Sequence, residues 1–223
     1  VLTRLAAVAA TIVLVPTLAA CGGNSSSTAP DASSGVPCAY ARSGTAARKV
    51  NPPAATTTLE GSVPVTIDTS VGTLTASLDA TNAPCTVSSF VSLASQGYFD
   101  NTPCHRLTTK GIYVLQCGDP TGTGTGGPGY TIPDELHGDE AYPPGTLAMA
   151  NTGSPNTGGS QFFIVYKDST ANLGKLYTVF GQLDKQSLTA VQQMASKGTD
   201  NANGPGDGHP KEAVTITKVT SGG

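Results

Sequence analysis

The chain has 223 residues, with 12 Lys+Arg against 15 Asp+Glu and a formal charge of −3. Only 12% of its residues are charged, about half the ~25% usual in soluble proteins, and 27 Gly and 16 Pro stand beside no Trp. This argues against a nucleic-acid binder, which needs a basic face to neutralise phosphates, and against a coiled coil or helical bundle; a single apolar run rules out a multi-pass membrane protein.

The first segment reads as an address. Arg4 precedes a small, apolar stretch over residues 5–20. That stretch is too short to span a hydrocarbon core, which takes about 20 residues, and fits the apolar region of a signal peptide. It ends in Leu18-Ala19-Ala20-Cys21, which resembles a bacterial lipobox. The resemblance implies cleavage after residue 20 and lipid on Cys21, with two or more acyl chains needed for stable attachment. The alternative is an ordinary secretory signal with a chance Cys at the cut. The expected address is the bacterial cell envelope, with a lipid anchor on the outer face of the cytoplasmic membrane or on another envelope membrane. Residues 21–59 are rich in Ser, Thr, Ala and Pro. They carry too little apolar surface to offset chain entropy and are expected to form a flexible tether; the expected exception is Pro37-Cys38-Ala39-Tyr40, which a disulfide would tie down.

Residues 60–223 form one expected domain. Val63, Val65 and Ile67, then Leu74, Ala76 and Leu78, alternate with other residues across a turn, which predicts a β-hairpin with one buried face. Asn82 and Pro84 open a helix with Val87, Phe90, Val91 and Ala94 on one stripe, and Gly97 closes it. Strands follow at residues 103–107, 112–116, 147–150, 161–166 and 177–181. Leu188, Val191 and Ala195 mark a second helix closed by Gly198, and Val214 and Ile216 a last strand. Strands outnumber helices, so the chain is mainly β: an antiparallel sheet or barrel covered by two helices.

Three motifs then carry a family resemblance: Cys104-His105-Arg106 before Gln116-Cys117-Gly118-Asp119, Met149-Ala150-Asn151 before Gly159-Ser160-Gln161-Phe162-Phe163-Ile164, and a later Val179-Phe180-Gly181. In order and spacing the chain resembles the cyclophilin-type peptidyl-prolyl cis-trans isomerases over about residues 62–220. The resemblance implies a closed eight-stranded antiparallel β-barrel capped by two α-helices. It implies rotation about X-Pro bonds of exported, proline-containing polypeptides, without cofactor or metal, and the domain is expected to be a monomer that binds no nucleic acid.

Residue by residue, the resemblance implies that Arg106 is the catalytic arginine, next to His105. Phe163 is the floor of a proline pocket walled by Tyr113, Val114 and Leu173, with Tyr177 where many members carry His. Gln116, Asn151 and Gln161 hold substrate backbone and orient the Arg, and Ala150 offers a main-chain edge. In a strand Phe162 and Phe163 face opposite sides, one into the core and one outward. The segment between Arg106 and Gln116 is two residues longer than usual, and Val114 is shorter than the usual Met, which predicts a shallower pocket on that side.

If Cys21 carries lipid, four cysteines remain, an even number in an exported chain. Four allow three pairings. In the family the strands of Cys104 and Cys117 are neighbours, so the resemblance implies that pair and leaves Cys38 with Cys85. There is no Cys-x-x-Cys and there are only three His, against a zinc site. The Gly-rich stretch after Asp119 lacks Gly-Lys-Ser/Thr and opens no helix, against a phosphate loop. Asp134, Glu135, Asp139 and Glu140 read as a solvated acidic loop without calcium-ligand spacing. Two other classes stand beside the enzyme: a non-catalytic chaperone or scaffold holding proline segments in the same groove, and a solute-binding lipoprotein, for which the body is too short.

Overall fold

The structure is a computed structural model that describes residues 35–222. The signal segment, Cys21 and the first part of the expected tether lie outside the described residues. In chain order the elements are β1 (Val36–Pro37), β2 (Ala41–Arg42), β3 (Thr56–Thr57), β4 (Ser62–Thr69), β5 (Gly72–Asp79), α1 (Pro84–Ser95), β6 (Thr102–Pro103), β7 (Arg106–Thr108) and β8 (Val114–Cys117). They continue with β9 (Tyr130–Thr131), β10 (Thr146–Met149), β11 (Phe162–Val165), α2 (Thr170–Leu173), β12 (Val179–Leu183), α3 (Lys185–Ala195), β13 (Asp207–Gly208) and β14 (Thr215–Ser221).

The predicted hairpin is β4–β5, in register from Ser62↔Asp79 to Thr69↔Gly72. Its alternation buries Val65, Ile67, Leu74, Ala76 and Leu78. The predicted first helix is α1, with Pro84 in its first turn. Asn82 does not cap it. The orphan amides of Cys85 and Thr86 donate instead to the two carboxylate oxygens of Glu135, at 2.9 Å each, where a negative charge also meets the positive end of the helix dipole. At the other end the amides of Gly97 and Tyr98 return to the carbonyls of Ala94 and Leu93. Gly97 sits at φ +67, the left-handed position such a cap needs. The second helix is α3, capped by the Asp184 carboxylate accepting from the Ser187 amide; α2 is a single extra turn.

Ten strands form one curled antiparallel sheet in the order β13-β7-β8-β11-β10-β12-β5-β4-β14-β6. The ladder does not close into the expected eight-stranded barrel. Its ends are β13 and β6, and no pair joins them. The change of partner falls in residues 102–108, where β6 pairs with β14 and β7 pairs with β8. Pro103 has no N–H to give a ladder, and Cys104 and His105, between the two strands, belong to neither.

The concave side holds the core. Phe90 of α1 packs on Phe99, Phe162 and Phe180 with ring centroids 5.0, 5.4 and 5.5 Å away. Residues 35–59, read from composition as tether, lie against this domain. Cys38 is bonded to Cys85 and Cys104 to Cys117. β1 pairs with β3, and β2 pairs with β9. Arg48 aims Nη1 at the carbonyls of Gly97, Tyr98 and Asp100, at 2.8, 2.8 and 2.7 Å, beyond the end of α1. Backbone pairing, one disulfide and one buried-end cation hold the arm, so its lack of large apolar residues does not free it.

Candidate active site

Directly opposed residues of an antiparallel ladder point to the same face. The registers Arg106↔Gln116, Gln116↔Phe163, Phe163↔Ala148 and Ala148↔Val179 therefore make one row across β7, β8, β11, β10 and β12. Strands lie about 4.8 Å apart, which places Arg106 about 10 Å along the row from Phe163. The neighbouring row, Leu107, Leu115, Ile164 and Leu147, faces the core.

The apolar end of the row is a second cluster. Phe163, 4% exposed, packs with Val114, Tyr142, Ala148, Val165 and Leu173, and Ile112 and Tyr177 lie against it. The Tyr177 ring stands edge-on to Phe163 at 5.3 Å. Tyr142, fully buried, fixes Tyr177: its hydroxyl donates to the Tyr177 carbonyl (3.2 Å) and accepts from the Tyr177 amide (3.1 Å). The floor and walls of the expected pocket thus come together, with one exception. Tyr113 packs against the main core and stacks edge-on with Tyr166 at 6.0 Å. Its amide donates to Ser169 Oγ, and Lys167 Nζ lies 4.3 Å over its ring. Ile112 takes the pocket side. Period-two alternation counted back from Gln116 puts Val114 and Ile112 on one face and Tyr113 on the other.

The polar end is a chain of hydrogen bonds. Asp119 is fully buried and accepts from the amides of Thr121, Gly124 and Gly126 at 2.8, 2.8 and 3.0 Å. Burial pushes its carboxyl up, but the Thr121 hydroxyl and these three amides outweigh that and hold it below its ordinary range. A Cβ at Gly126 would lie 2.0 Å from Asp119 Oδ1, so glycine is required for the loop to close on this carboxylate. The loop in turn offers the carbonyls of Gly124 and Gly126 to Gln161 Nε2, both at 2.9 Å. That fixes which way the Gln161 amide points. Its Oε1 accepts from Gln116 Nε2 at 2.9 Å, and Gln116 Oε1 accepts from Arg106 Nη1 at 3.4 Å.

Arg106 is half-buried and completes the chain. Its Nη2 lies 2.6 Å from Asp207 Oδ2, and its Nε 2.9 Å from Oδ1. The hydrogen bonds to Asp207 raise the guanidinium's pKa further, and the same contacts lower that of Asp207. Of five guanidinium N–H groups, three are engaged, which leaves one on each terminal nitrogen for a ligand. Arg106, Gln116 and Gln161 therefore form the polar half of the expected site. Asn151 stands at its edge and donates to the Leu176 carbonyl at 2.9 Å. The Ala150 amide is taken by the Gln161 carbonyl, which leaves its carbonyl as the edge it can offer. A cleft of about 510 Å³ opens beside Gln116 and Gln161, lined also by Thr45 of the arm, Gly126, Asn151 and Thr157. His105 is not at the surface of the row; both its ring nitrogens are buried without a partner.

Asp207, Asp119 and Tyr142 were not singled out from the sequence as site residues. Asp207 lies 101 positions from Arg106 in a Gly/Asn-rich turn, and no local pattern links the two. Asp119 stands within a motif, but its burial shows only in the fold. Tyr142 precedes two prolines in a segment without strand periodicity.

The chain is similar to known proteins over this same region. The family model described as cyclophilin type peptidyl-prolyl cis-trans isomerase/CLD matches residues 64–221. The probable peptidyl-prolyl cis-trans isomerase B of Mycobacterium tuberculosis is 49% identical over 170 residues, 70% of this chain and 54% of that protein. Its counterpart from Mycobacterium leprae is 44% identical over 206 residues, 85% of this chain and 68% of that protein. The chain thus spans between about half and two thirds of the length of these relatives. A Cryptosporidium parvum cyclophilin type isomerase, crystallised in the presence of the dipeptide Ala-Pro, superposes with a TM-score of 0.63 at 32% identity, covering 72% of this chain and 99% of that one. Fold and sequence agree: this chain belongs to the cyclophilin-type peptidyl-prolyl cis-trans isomerase family.

Proposed function

We propose that the chain catalyses cis-trans isomerisation of X-Pro peptide bonds, with the proline ring against Phe163 and the imide under Arg106. The barrier to be lowered is ~18–20 kcal/mol of amide resonance. Only interactions stronger in the twisted transition state than in either planar isomer lower it. The observation that carries the reading is the row itself: a guanidinium with two unengaged N–H groups beside an apolar floor on the same sheet face. As the amide twists, its nitrogen becomes a better acceptor, and a donor already fixed in place gains most at that moment. No nucleophile and no proton transfer is needed.

The test is exchange NMR on a short Ala-Pro peptide with the chain at catalytic concentration, and Arg106→Ala alongside. Accelerated exchange that the substitution abolishes supports the reading. Saturable binding without acceleration leaves a chaperone or scaffold that holds proline segments in the same groove.

The substrates we propose are exported proteins folding at the bacterial cell envelope, met by a monomeric domain anchored through lipid on Cys21. The support is Leu18-Ala19-Ala20-Cys21 and two disulfides of the kind that persist in oxidising compartments. Incorporation of labelled fatty acid that is lost in Cys21→Ser checks the anchor.

A further inference from the structure

Asp207 belongs to none of the family motifs, yet it makes the shortest contact that Arg106 has. The turn that carries it is built around that contact. Asp207 pairs with Thr108 in the two-residue ladder of β13 on β7, which puts it on the same face as Arg106, diagonally across the ladder and two positions from its register partner. Its amide donates to the Gly204 carbonyl at 2.9 Å, and its own carbonyl accepts from Asn203. The Asn203 side chain donates to Asp207 Oδ1 at 3.2 Å. Gly206, at φ +85, donates its amide to Asn201 Oδ1 at 2.7 Å. A Cβ on it would lie 2.7 Å from Lys110 Cβ. The Gly206 carbonyl accepts from the Thr109 amide at 2.7 Å, which ties the turn to the two-residue-longer segment after Arg106. Asn172 holds the far side of that segment through Gly111. The carboxylate is thus fixed from its backbone, its side chain and the next strand.

We propose that Asp207 is a positioning residue for Arg106: it locks the guanidinium plane through Nε and Nη2 and leaves one N–H on each terminal nitrogen facing the proline site. The inference rests on the isomerase reading above. A free arginine has four rotatable side-chain bonds and would have to order itself on each substrate. Held between Asp207 and Gln116, it is ordered before substrate arrives, and a planar fork keeps its direction where a point charge would not. A misplacement of about 1 Å in a group of this kind costs up to about 100-fold in rate. A residue that acts only through Arg106 should change kcat and leave KM nearly unmoved.

The experiment measures kcat and KM on the Ala-Pro peptide for wild type, Asp207→Asn, Asp207→Glu and Arg106→Ala. The double variant Arg106→Ala/Asp207→Asn and thermal midpoints complete the set. The expected result is a 10- to 100-fold loss in kcat for Asp207→Asn with KM and the thermal midpoint nearly unchanged. Asp207→Glu recovers part of it, and Asp207→Asn has no further effect once Arg106 is Ala. Wild-type kcat in Asp207→Asn overturns the inference, as does a loss confined to KM or an equal loss in the Arg106→Ala background. If Asp207→Asn does not fold, the Arg106 Nε–H resonance of the wild-type chain decides. A slowly exchanging signal in both free and peptide-bound chain supports the lock, and exchange at the solvent rate overturns it. A wild-type chain that accelerates nothing removes the isomerase reading itself, an outcome distinct from an active wild type matched by Asp207→Asn.

Discussion

Phe162 and Phe163 are consecutive residues with opposite surroundings. Phe162 is fully buried among Phe90, Phe99 and Phe180, rings supplied by α1, the turn after it and β12. Phe163 is nearly as buried, but its neighbours Tyr142 and Tyr177 come from loops, and they are kept in place by hydrogen bonds between side chain and backbone. The inner face around Phe162 is closed mainly by apolar packing. The outer face is apolar for half its width and then passes, along one row, into Gln116 and Arg106. Stability and chemistry are thus separated by the period of two in β11, and single substitutions should separate them too.

The largest expected effect is at the polar end. Arg106→Ala should lower isomerisation of an Ala-Pro peptide by 100-fold or more, the order seen when a preorganised donor is removed. The thermal midpoint should hardly move, because Arg106 and Asp207 are 35% and 28% exposed in their side chains and the freed carboxylate can hydrate. A variant that unfolds would show that the row is also a structural support and would erase the contrast. Next comes Phe162→Ala. Emptying a closed aromatic site costs about 3–5 kcal/mol, a large share of the roughly 5–15 kcal/mol of a whole domain. Phe163→Ala opens to solvent instead of leaving a sealed cavity, so about 2–3 kcal/mol from area alone is expected, with KM for proline peptides up at least tenfold. Denaturant unfolding beside peptide titration reads both. Equal stability losses at the two positions would mean that the faces are energetically alike.

These contrasts also mark what was legible before the fold was known. The β4–β5 hairpin and α1 could be read because their apolar residues repeat at the periods of strand and helix, and Arg106, Gln116 and Phe163 because their motifs hold their spacing. Ile112 was legible in principle: alternation from Gln116 puts it beside Val114, whereas the family resemblance pointed to Tyr113. Asp207 was not legible. A contact across 101 residues leaves no mark in local periodicity, and the turn bearing it reads only as Gly/Asn-rich loop. The arm of residues 35–59 misled through composition, because hydropathy does not register a strand pair, a disulfide or an arginine spread over three carbonyls. The open end of the ladder at Pro103 was likewise hidden, since an isolated Pro marks a strand edge without saying which partner is exchanged.

The two disulfides extend the comparison, with stability effects of similar size and smaller effects on activity. Cys38–Cys85, with a sequence separation of 47, ties the arm to the start of α1. Cys104–Cys117, with a separation of 13, flanks Arg106 and Gln116. On loop length alone, losing the first costs about 4 kcal/mol and losing the second about 3 kcal/mol. Activity should divide the other way. Cys38→Ala/Cys85→Ala should keep kcat/KM near wild type below its melting point. Cys104→Ala/Cys117→Ala should lose several-fold, because β7 and β8 share only two register pairs and the staple fixes their spacing at the reacting end. Urea midpoints and peptide kinetics on both double variants test this. Greater kinetic damage from the first pair would place the arm, and not the staple, in control of the row.

The smallest effect concerns His105, which lies between the two faces. Its ring is buried with both nitrogens unpartnered, and Gly124 passes so close that a Cβ there would lie 3.4 Å from Nε2. Burial lowers its pKa below the usual value of about 6.5, and the pull of Asp119 in the opposite direction does not restore it. Below about pH 6.5 the unfolded chain therefore binds a proton that the folded chain refuses. Stability is full above that pH and falls as the pH drops towards the folded value. Asp119 and Asp207 stay charged in this window, since both carboxyls are held below their ordinary range. The expected sign is a falling thermal midpoint as the pH drops below about 6.5, levelling off once the pH passes the lowered folded value. His105→Phe should flatten that slope, since an apolar ring of similar size leaves no orphaned nitrogen. An unchanged slope in His105→Phe would leave His105 as packing alone.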